Sequence, residues 1–175
     1  LVYDSGLRDR RGYQVEGALF CARDPDPMPV MFSQDIARKF WKSPQADQAT
    51  AEFIAEFRDR PIAYIVESYR LNQFPDPIRR FLGEHYVWYA RSLFIAGFFL
   101  DLVDGAREVD VIVPGAYRWV PDPVHQGVSI QVGSEVLRPL DVIHLDVGTH
   151  TIATHEVHAV RGSLMLADLP FVERD

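Results

Sequence analysis

Hydrophobic and polar positions follow two different patterns along the chain. Up to about residue 104, apolar residues recur at helical spacing in some stretches and form short continuous runs in others. From Arg107 onward they alternate with polar residues in short runs, which Pro-Gly, Val-Gly-Ser and Val-Gly-Thr separate. Because helical spacing and a period of two belong to different elements, the pattern predicts two domains, 1–104 and 107–175.

Helices and strands alternate in the first predicted domain. The segment "SPQADQATAEFIAEFRDR" is typical of a helix, with Ser43 before Pro44 at its first position and Pro61 stopping it. A buried strand, "IAYIVESYRL", follows, and then the turn "NQFPDP". Further predicted elements are a first strand in "GYQVEGALFCA", a short strand over Met28–Phe32, a helix in "DIARKFWK", a helix opening at Asp76 and breaking near Gly83, and a strand or hairpin over 86–100. This order predicts a small α/β layer, with helices over a sheet.

The second predicted domain contains strands alone. The alternating runs are "EVDVIVPGAYRWV", "VSIQVGSEVL", "DVIHLDVGTHTIATHEV" and "GSLMLADL". Short alternating strands with frequent glycine turns indicate a small antiparallel β-sandwich. The fold class predicted for the whole chain is therefore α+β: an α/β layer domain followed by an antiparallel β-sandwich.

Composition excludes several classes of protein. The chain has 175 residues, 47% of them hydrophobic and 25% charged, which is near the average for a globular protein with a packed core. Its net charge is −7, and its basic residues form no cluster. Nucleic acid is therefore not an expected partner, because binding to phosphates needs clustered Lys and Arg. The longest apolar run, "SLFIAGFFLDLV", is shorter than the roughly 20 residues of a membrane span.

Catalytic motifs and cysteine pairs are missing from the sequence. Cys21 is the single cysteine, so neither an internal disulfide nor a cysteine-based metal site is expected. The serines lack the Gly-x-Ser-x-Gly elbow, and no glycine-rich phosphate loop is present. No catalytic residue and no cofactor are therefore assigned. The sequence starts at Leu1 rather than Met, which favours a piece of a longer protein.

Four of the six histidines lie within residues 144–158. Strand alternation places His144 on the outer face, opposite Ile143 and Leu145, with a turn at Gly148-Thr149. Three of these histidines, His144, His150 and His155, would meet at a metal only if a hairpin stacked the first against the second. The spacing matches no common metal motif, so solvated or edge histidines are favoured. A metal-dependent hydrolase using these three residues stays open as an alternative.

Aromatic residues form two dense groups, in "EHYVWYARSLF" and "GAYRWV". Exposed aromatic faces stack on sugars and anchor protein interfaces, so Tyr117, Trp119 and Trp88 are candidate ligand-contact residues. Packing in the core is the favoured alternative. Since Tyr117 and Trp119 share a strand face, both are expected inside or both outside.

The segment "PIAYIVESYRLNQFPDPIRRFLGEHYV" resembles the end of the extracytoplasmic domain in polytopic glycosyltransferases of the protein-mannosyltransferase and aminoarabinose-transferase type. In that family a strand is followed by a Phe-Pro turn and by a helix that ends in Tyr. The matching residues here are Tyr64–Val66, Phe74-Pro75, Ile78–Leu82 and Tyr86. The family's catalytic acid lies between early transmembrane helices, so no catalytic residue is carried over to this chain.

The later segment resembles small β-sandwich modules of the PEGA kind. Those modules carry a Leu-x-x-Gly-x-His-x-Ile hairpin, matched by Leu145, Gly148, His150 and Ile152. Together, the two resemblances imply a domain that follows the last membrane span of a longer protein and faces the periplasm. Its expected partners are a glycan or protein acceptor, and the membrane through the rest of the parent chain. A stand-alone carbohydrate- or protein-binding module is the alternative.

Overall fold

The computed structural model describes residues 12–14, 41–66, 74–103, 105–154, 156 and 159–167. Within these residues the fold is mainly β, with two α-helices and two sheets that contain antiparallel strands. The helices are α1 (Ala46–Asp59) and α2 (Asp76–His85). The strands are β1 (Gly12–Gln14), β2 (Tyr64–Val66), β3 (Tyr86–Ala90), β4 (Leu93–Leu102), β5 (Ala106–Val111), β6 (Gly115–Pro121), β7 (Ile130–Val132), β8 (Glu135–Leu137), β9 (Val142–Leu145), β10 (Gly148–Ala153) and β11 (Val160–Leu166). The strand predicted at 28–32 lies outside the described residues, as does the helix predicted at 35–42 apart from Trp41 and Lys42.

The described residues divide into two compact units. The first contains the residues up to Gly83 together with Trp88–Phe94, and the second contains Glu84–Val87 and the residues from Ile95 onward. The predicted boundary at 104–107 falls later in the chain than this division. The reason is that β4 pairs along most of its length with β11, which brings residues 97–102 into the second unit.

The first unit contains α1, most of α2 and the parallel pair β1–β2, in which Tyr13 lies opposite Ile65. Helix α1 begins two residues after Pro44, and the Ala46 N–H donates to the carbonyl of Ser43. It ends where the Arg60 N–H donates to the Glu56 carbonyl, and Pro61 then offers no further donor. The predicted helix is therefore present, with a start two residues later than predicted.

Aromatic rings form the core of the first unit. Phe53 and Phe57 lie one turn apart on α1 and stack at a centroid distance of 4.5 Å. Phe57 meets Phe81 of α2 edge to face, at 6.0 Å. Phe74 packs against Phe53 from the residues just before α2, with the ring centroids 5.4 Å apart. These contacts explain the aromatic pair at one-turn spacing on α1, which packs against Phe81 of α2 and Phe74 just before it.

Helix α2 opens as predicted, at Asp76 with Pro77 in its first turn. The Pro75 carbonyl accepts hydrogen bonds from the N–H groups of Ile78 and Arg79. The helix continues through Gly83 to His85, rather than breaking at the glycine. Strand β3 follows at once, and β3 pairs with β4 in the hairpin predicted over 86–100.

The second unit contains two sheets. In one sheet the strand order is β4-β11-β6-β9, with β3 beside β4, and in the other it is β5-β10-β7-β8. The pairings β4–β11, β11–β6, β6–β9, β5–β10, β10–β7 and β7–β8 are all antiparallel. Strand β11 lies between β4 and β6, so Leu164 is opposite Phe98 on one side and Trp119 on the other. Alternate residues of both sheets are buried, as a period of two requires.

Strands β9 and β10 belong to different sheets, since β9 pairs with β6 and β10 pairs with β5 and β7. The hairpin predicted across Gly148-Thr149 is therefore wrong. Gly148 opens β10 with a φ of 134°, a conformation that side chains rarely adopt. The Leu-x-x-Gly-x-His-x-Ile motif thus spans a crossing from one sheet to the other. Its Leu145 and Ile152 are buried in separate sheets.

None of the helices in the described residues combines the length and the apolar character that a membrane crossing requires.

A candidate ligand-contact site at a hairpin tip

Trp88 is the one of the three predicted ligand-contact residues that presents a large exposed surface. Strand β3 buries Tyr86 and Val87, and the side chain of Trp88 is then 42% exposed. Its indole Nε1–H donates a hydrogen bond of 2.7 Å to the carbonyl oxygen of Arg91. This bond closes the turn between β3 and β4, and it fixes the ring against the hairpin.

Arg91 occupies the turn of this hairpin with a φ of 49°, in the left-handed region. Few residues other than glycine adopt this conformation, and the hydrogen bond from Trp88 to the Arg91 carbonyl supports it here. Arg91 and Ser92 are both exposed. We call residues 88–92 the hairpin tip. It combines an oriented aromatic ring with a cationic side chain.

Tyr117 and Trp119 share a face of β6, as predicted, but that face is buried. Tyr117 is 1% exposed and Trp119 is not exposed at all, so the expectation that these rings face a ligand is wrong. The reason is the position of β6, which lies between β11 and β9 inside its sheet and buries the face that carries residues 115, 117 and 119. The two side chains belong to the core, which was the alternative interpretation.

Each of these two buried rings has a hydrogen-bond partner for its polar atom. The Tyr117 hydroxyl donates to the Val113 carbonyl at 2.6 Å, and the Trp119 indole N–H donates to the Val128 carbonyl at 2.9 Å. The Tyr117 ring also stacks on Phe98 of β4, with centroids 6.0 Å apart. Buried polar groups need such partners, and both are supplied from within the chain. These side chains therefore stabilise the fold and are not exposed to a ligand.

The histidines predicted as an alternative metal site do not share a hairpin. His144 is exposed on β9 of one sheet, where Ile143 and Leu145 are buried as expected, and His150 lies on β10 of the other sheet. The His150 Nε2 is 2.8 Å from the Asp146 carbonyl oxygen, and the His144 Nε2 is 3.8 Å from an Asp146 carboxylate oxygen. His155 lies outside the described residues. Among the residues that the structure describes, no three His, Cys, Asp or Glu side chains gather at a common point.

One buried polar side chain was not singled out from the sequence. His85, the last residue of α2, is 4% exposed, and its Nε2 lies 3.8 Å from a carboxylate oxygen of Asp110 on β5. The two residues are far apart in sequence, so no local pattern points to their meeting. The sequence signal is the position of His85 at a helix end, where a histidine side chain can hydrogen-bond the last carbonyl groups.

No family model matches the chain, and neither the curated proteins nor the solved structures contain a significant match to it. The assignment of a function therefore depends on the residues themselves.

Proposed function

We propose that this chain is an accessory domain of a membrane glycosyltransferase. It would lie on the periplasmic, or extracytoplasmic, side of the membrane and assist acceptor or glycan recognition, or assembly. The transfer reaction on a lipid-linked sugar would take place elsewhere in the parent chain. Within this proposal, the first unit acts as a small α/β layer and the two sheets of the second unit form a β-sandwich.

The observation that carries the proposal is the arrangement of the segment 64–86. The resemblance requires a strand, a Phe-Pro turn, a helix and then Tyr. The chain has β2 at Tyr64–Val66, Phe74-Pro75 directly before α2, and Tyr86 directly after it. Each of these residues has a packing or turn-forming role. Phe74 packs on Phe53, Pro75 accepts the first hydrogen bonds of α2, and Tyr86 is 4% exposed.

The motif is therefore one that defines a fold rather than a reaction. Phe74 and Pro75 set where α2 starts and against which side of α1 it packs. A domain that shares these residues would share this local architecture.

The first test is the coding sequence upstream of the Leu1 codon. The proposal predicts several hydrophobic segments of about 20 residues each, with an acidic residue in the first external loop. Their presence, in frame with this chain, would support the proposal. A reading frame with no such segments would overturn it.

A stand-alone carbohydrate-binding module is the second candidate, and the exposed ring of Trp88 favours it. Glycan binding at the hairpin tip, in a protein whose gene encodes no membrane spans, would support this candidate.

In a membrane transferase, by contrast, Trp88→Ala should raise the KM for the acceptor and leave kcat nearly unchanged, because the ring would contribute binding and not chemistry.

A further inference from the structure

Strand β9 is an edge strand, and the residues that bond to its neighbour can be assigned one by one. Among the described strands, β6 is its pairing partner, on one side. The Trp119 N–H donates to the Asp141 carbonyl, and the Leu140 N–H donates to the Trp119 carbonyl. Hydrogen-bonded and non-hydrogen-bonded pairs alternate along an antiparallel ladder. The residues of β9 that bond to β6 are therefore Ile143 and Leu145.

The other side of β6 supports this assignment. The Ala167 N–H donates to the Ala116 carbonyl, so the even-numbered residues of β6 bond toward β11 and the odd-numbered ones bond toward β9. Ala116 is thus in a non-hydrogen-bonded pair with His144. It follows that Val142 and His144 direct their backbone N–H and C=O groups away from β6, toward the open side of β9.

Both ends of this open side are closed by the chain itself. At one end the ladder is interrupted by a β-bulge at 140–141, where two residues lie opposite one residue of β6. At the other end, the carbonyl of Asp146 would continue the outward series, but it accepts a hydrogen bond of 2.8 Å from the His150 Nε2. The open part of the edge is therefore Val142–Leu145, with Val142 and His144 directed outward.

Exposed apolar side chains accompany this open edge. Val142 is 48% exposed, and Leu140 and Val147 on either side of it are exposed as well. Ile143 and Leu145 are buried on the opposite face, so a strand added here would extend the core on that face. Natural edge strands often carry a charged residue or a proline that prevents pairing, and β9 contains neither.

The charges around this edge indicate the chemistry of a partner. Residues 135–147 contain three acidic side chains and one basic one: Glu135, Asp141, Asp146 and Arg138. Arg118 pairs with Val142 from β6, on the side of β9 away from the open edge. The whole chain has a net charge of −7, so a second copy at this edge would bring like charges together. A basic partner would not.

We propose that the open edge of β9 binds an extended peptide segment of alternating basic and apolar residues, which pairs as an added antiparallel strand. Its backbone bonds to Val142 and His144. Its apolar side chains lie beside Ile143 and Leu145, and its basic side chains lie on the outer face with His144 and Asp146. In strand addition the main chain supplies affinity and alternate side chains supply specificity. The inference goes beyond the proposed function and does not depend on it.

The first test is NMR of the purified chain with a synthetic peptide of alternating lysine and valine, about six residues long, as strands usually are. In the free protein the amide hydrogens of Val142 and His144 should exchange rapidly, and those of Ile143 and Leu145 slowly. The peptide should protect the first two and leave the others unchanged. Replacing its lysines with glutamate should weaken binding about fivefold. Absence of protection, or equal binding of the glutamate peptide, would overturn the inference.

A proline variant of the edge tests the site itself. Val142→Pro removes an outward N–H and no bond to β6, so it should weaken peptide binding about tenfold. Val136→Pro is the matched control, on the edge strand β8 of the other sheet. Val132 and Glu135 close a two-residue turn, so the Val136 N–H also points away from its partner strand. The control should bind the peptide normally. A similar loss in both variants, or in neither, would overturn the inference.

A second pair of peptides makes the test independent of how the variants fold. In an antiparallel strand the lysine N–H groups face β9 and the valine N–H groups face away. Methylation of the lysine backbone nitrogens should therefore abolish binding, and methylation of the valine nitrogens should not. Equal binding of the two methylated peptides would overturn the inference.

Sedimentation velocity of the free protein tests the other occupant of this edge, a second copy of the chain. A monomer is expected, because of the like charges at the edge. A concentration-dependent dimer in which Val142 and His144 are protected without peptide would overturn the inference. None of these results bears on the segments upstream of Leu1, which decide the proposed function.

Discussion

The indole ring of Trp119 lies over the Cα of Gly162, and it can do so only because residue 162 has no side chain. A Cβ at this position would lie 2.7 Å from the Trp119 Cζ3 and 2.7 Å from the Pro121 Cα. Pro121 is the residue paired with Gly162 across β6 and β11. The ring and the backbone therefore close on the glycine from two sides.

Replacing this glycine should destabilise the second unit. Gly162→Ala must displace either the Trp119 ring or the Pro121 backbone, and overpacking of this kind costs about 1–3 kcal/mol in the free energy of unfolding. Urea unfolding followed by tryptophan fluorescence would measure the loss. An unchanged midpoint would show that the ring does not lie where the structure places it.

Gly83→Ala is the matched control. Gly83 lies inside α2, is exposed, and has no atom within 4 Å of the position of a new Cβ. Alanine is favoured over glycine in a helix by about 1 kcal/mol, so this variant should be stabilised by up to that amount. The same substitution is thus expected to act with opposite sign at the two sites.

The Tyr117 hydroxyl should contribute stability without taking part in binding. Tyr117→Phe removes the hydroxyl, so the Val113 carbonyl loses the donor that lies 2.6 Å away. We expect a loss of about 1 kcal/mol in unfolding free energy. Urea unfolding of the variant and the unaltered protein gives the comparison. An unchanged unfolding free energy would contradict the assignment of this hydroxyl to the core.

Leu140 is held in a left-handed conformation, with a φ of 70°, although 49% of its side chain is exposed. Its N–H donates to the Trp119 carbonyl at 2.8 Å, which keeps the backbone in this turn. Leu140→Gly removes the clash of Cβ with the backbone, and it should raise the unfolding free energy by about 0.5–1 kcal/mol after the added chain entropy is subtracted.

Leu140→Ala is the control for this prediction, because it retains the Cβ and removes only the rest of the side chain. It should be no more stable than the unaltered protein. Thermal unfolding of both variants gives the comparison. If the glycine variant were the less stable of the two, the strain assigned to residue 140 would be refuted.

The ion pair between Arg161 and Asp101 should contribute little. The Arg161 Nη2 lies 3.1 Å from a carboxylate oxygen of Asp101, directly across β11 and β4, but both side chains are partly exposed. Arg161→Gln should therefore lower the unfolding free energy by about 0.2–1 kcal/mol. The difference should shrink in concentrated salt, since screening weakens exposed charge pairs. A loss that persists at high salt would point to packing of the Arg161 stem instead.

The positions of the helices and strands could be predicted from the sequence better than the pairing between strands. Alternation located strands β5–β11 and correctly placed Ile143 and Leu145 inside with His144 outside, because a strand face depends only on local spacing. Pro61 and Asp76 similarly marked helix ends. Alternation also assigns Val147 to the face of Ile143 and Leu145, but this prediction is wrong: its side chain is 65% exposed, because β9 ends at Leu145.

Pairing between strands depends on distant residues, and the sequence pattern does not contain it. Gly148-Thr149 is typical of a turn, yet Gly148 opens β10, which belongs to a different sheet from β9. Alternation puts Tyr117 and Trp119 on the same face of β6, but it does not say whether that face is buried. Their burial follows from the place of β6 between β11 and β9. Trp88 was found from the sequence only as one of several aromatics. Its distinguishing feature is the bond to Arg91, which follows from the turn geometry.

The central place of β11 has a consequence for synthesis and folding. The strand that joins β4 to β6 is the last one among the described residues, and its Arg161 pairs with Asp101, 60 positions earlier in the sequence. Until the ribosome has released residue 166, β4 and β6 each expose an open edge, and such edges promote aggregation. High contact order of this kind slows folding. A nascent chain of this protein therefore needs β11 before these edges of β4 and β6 are covered.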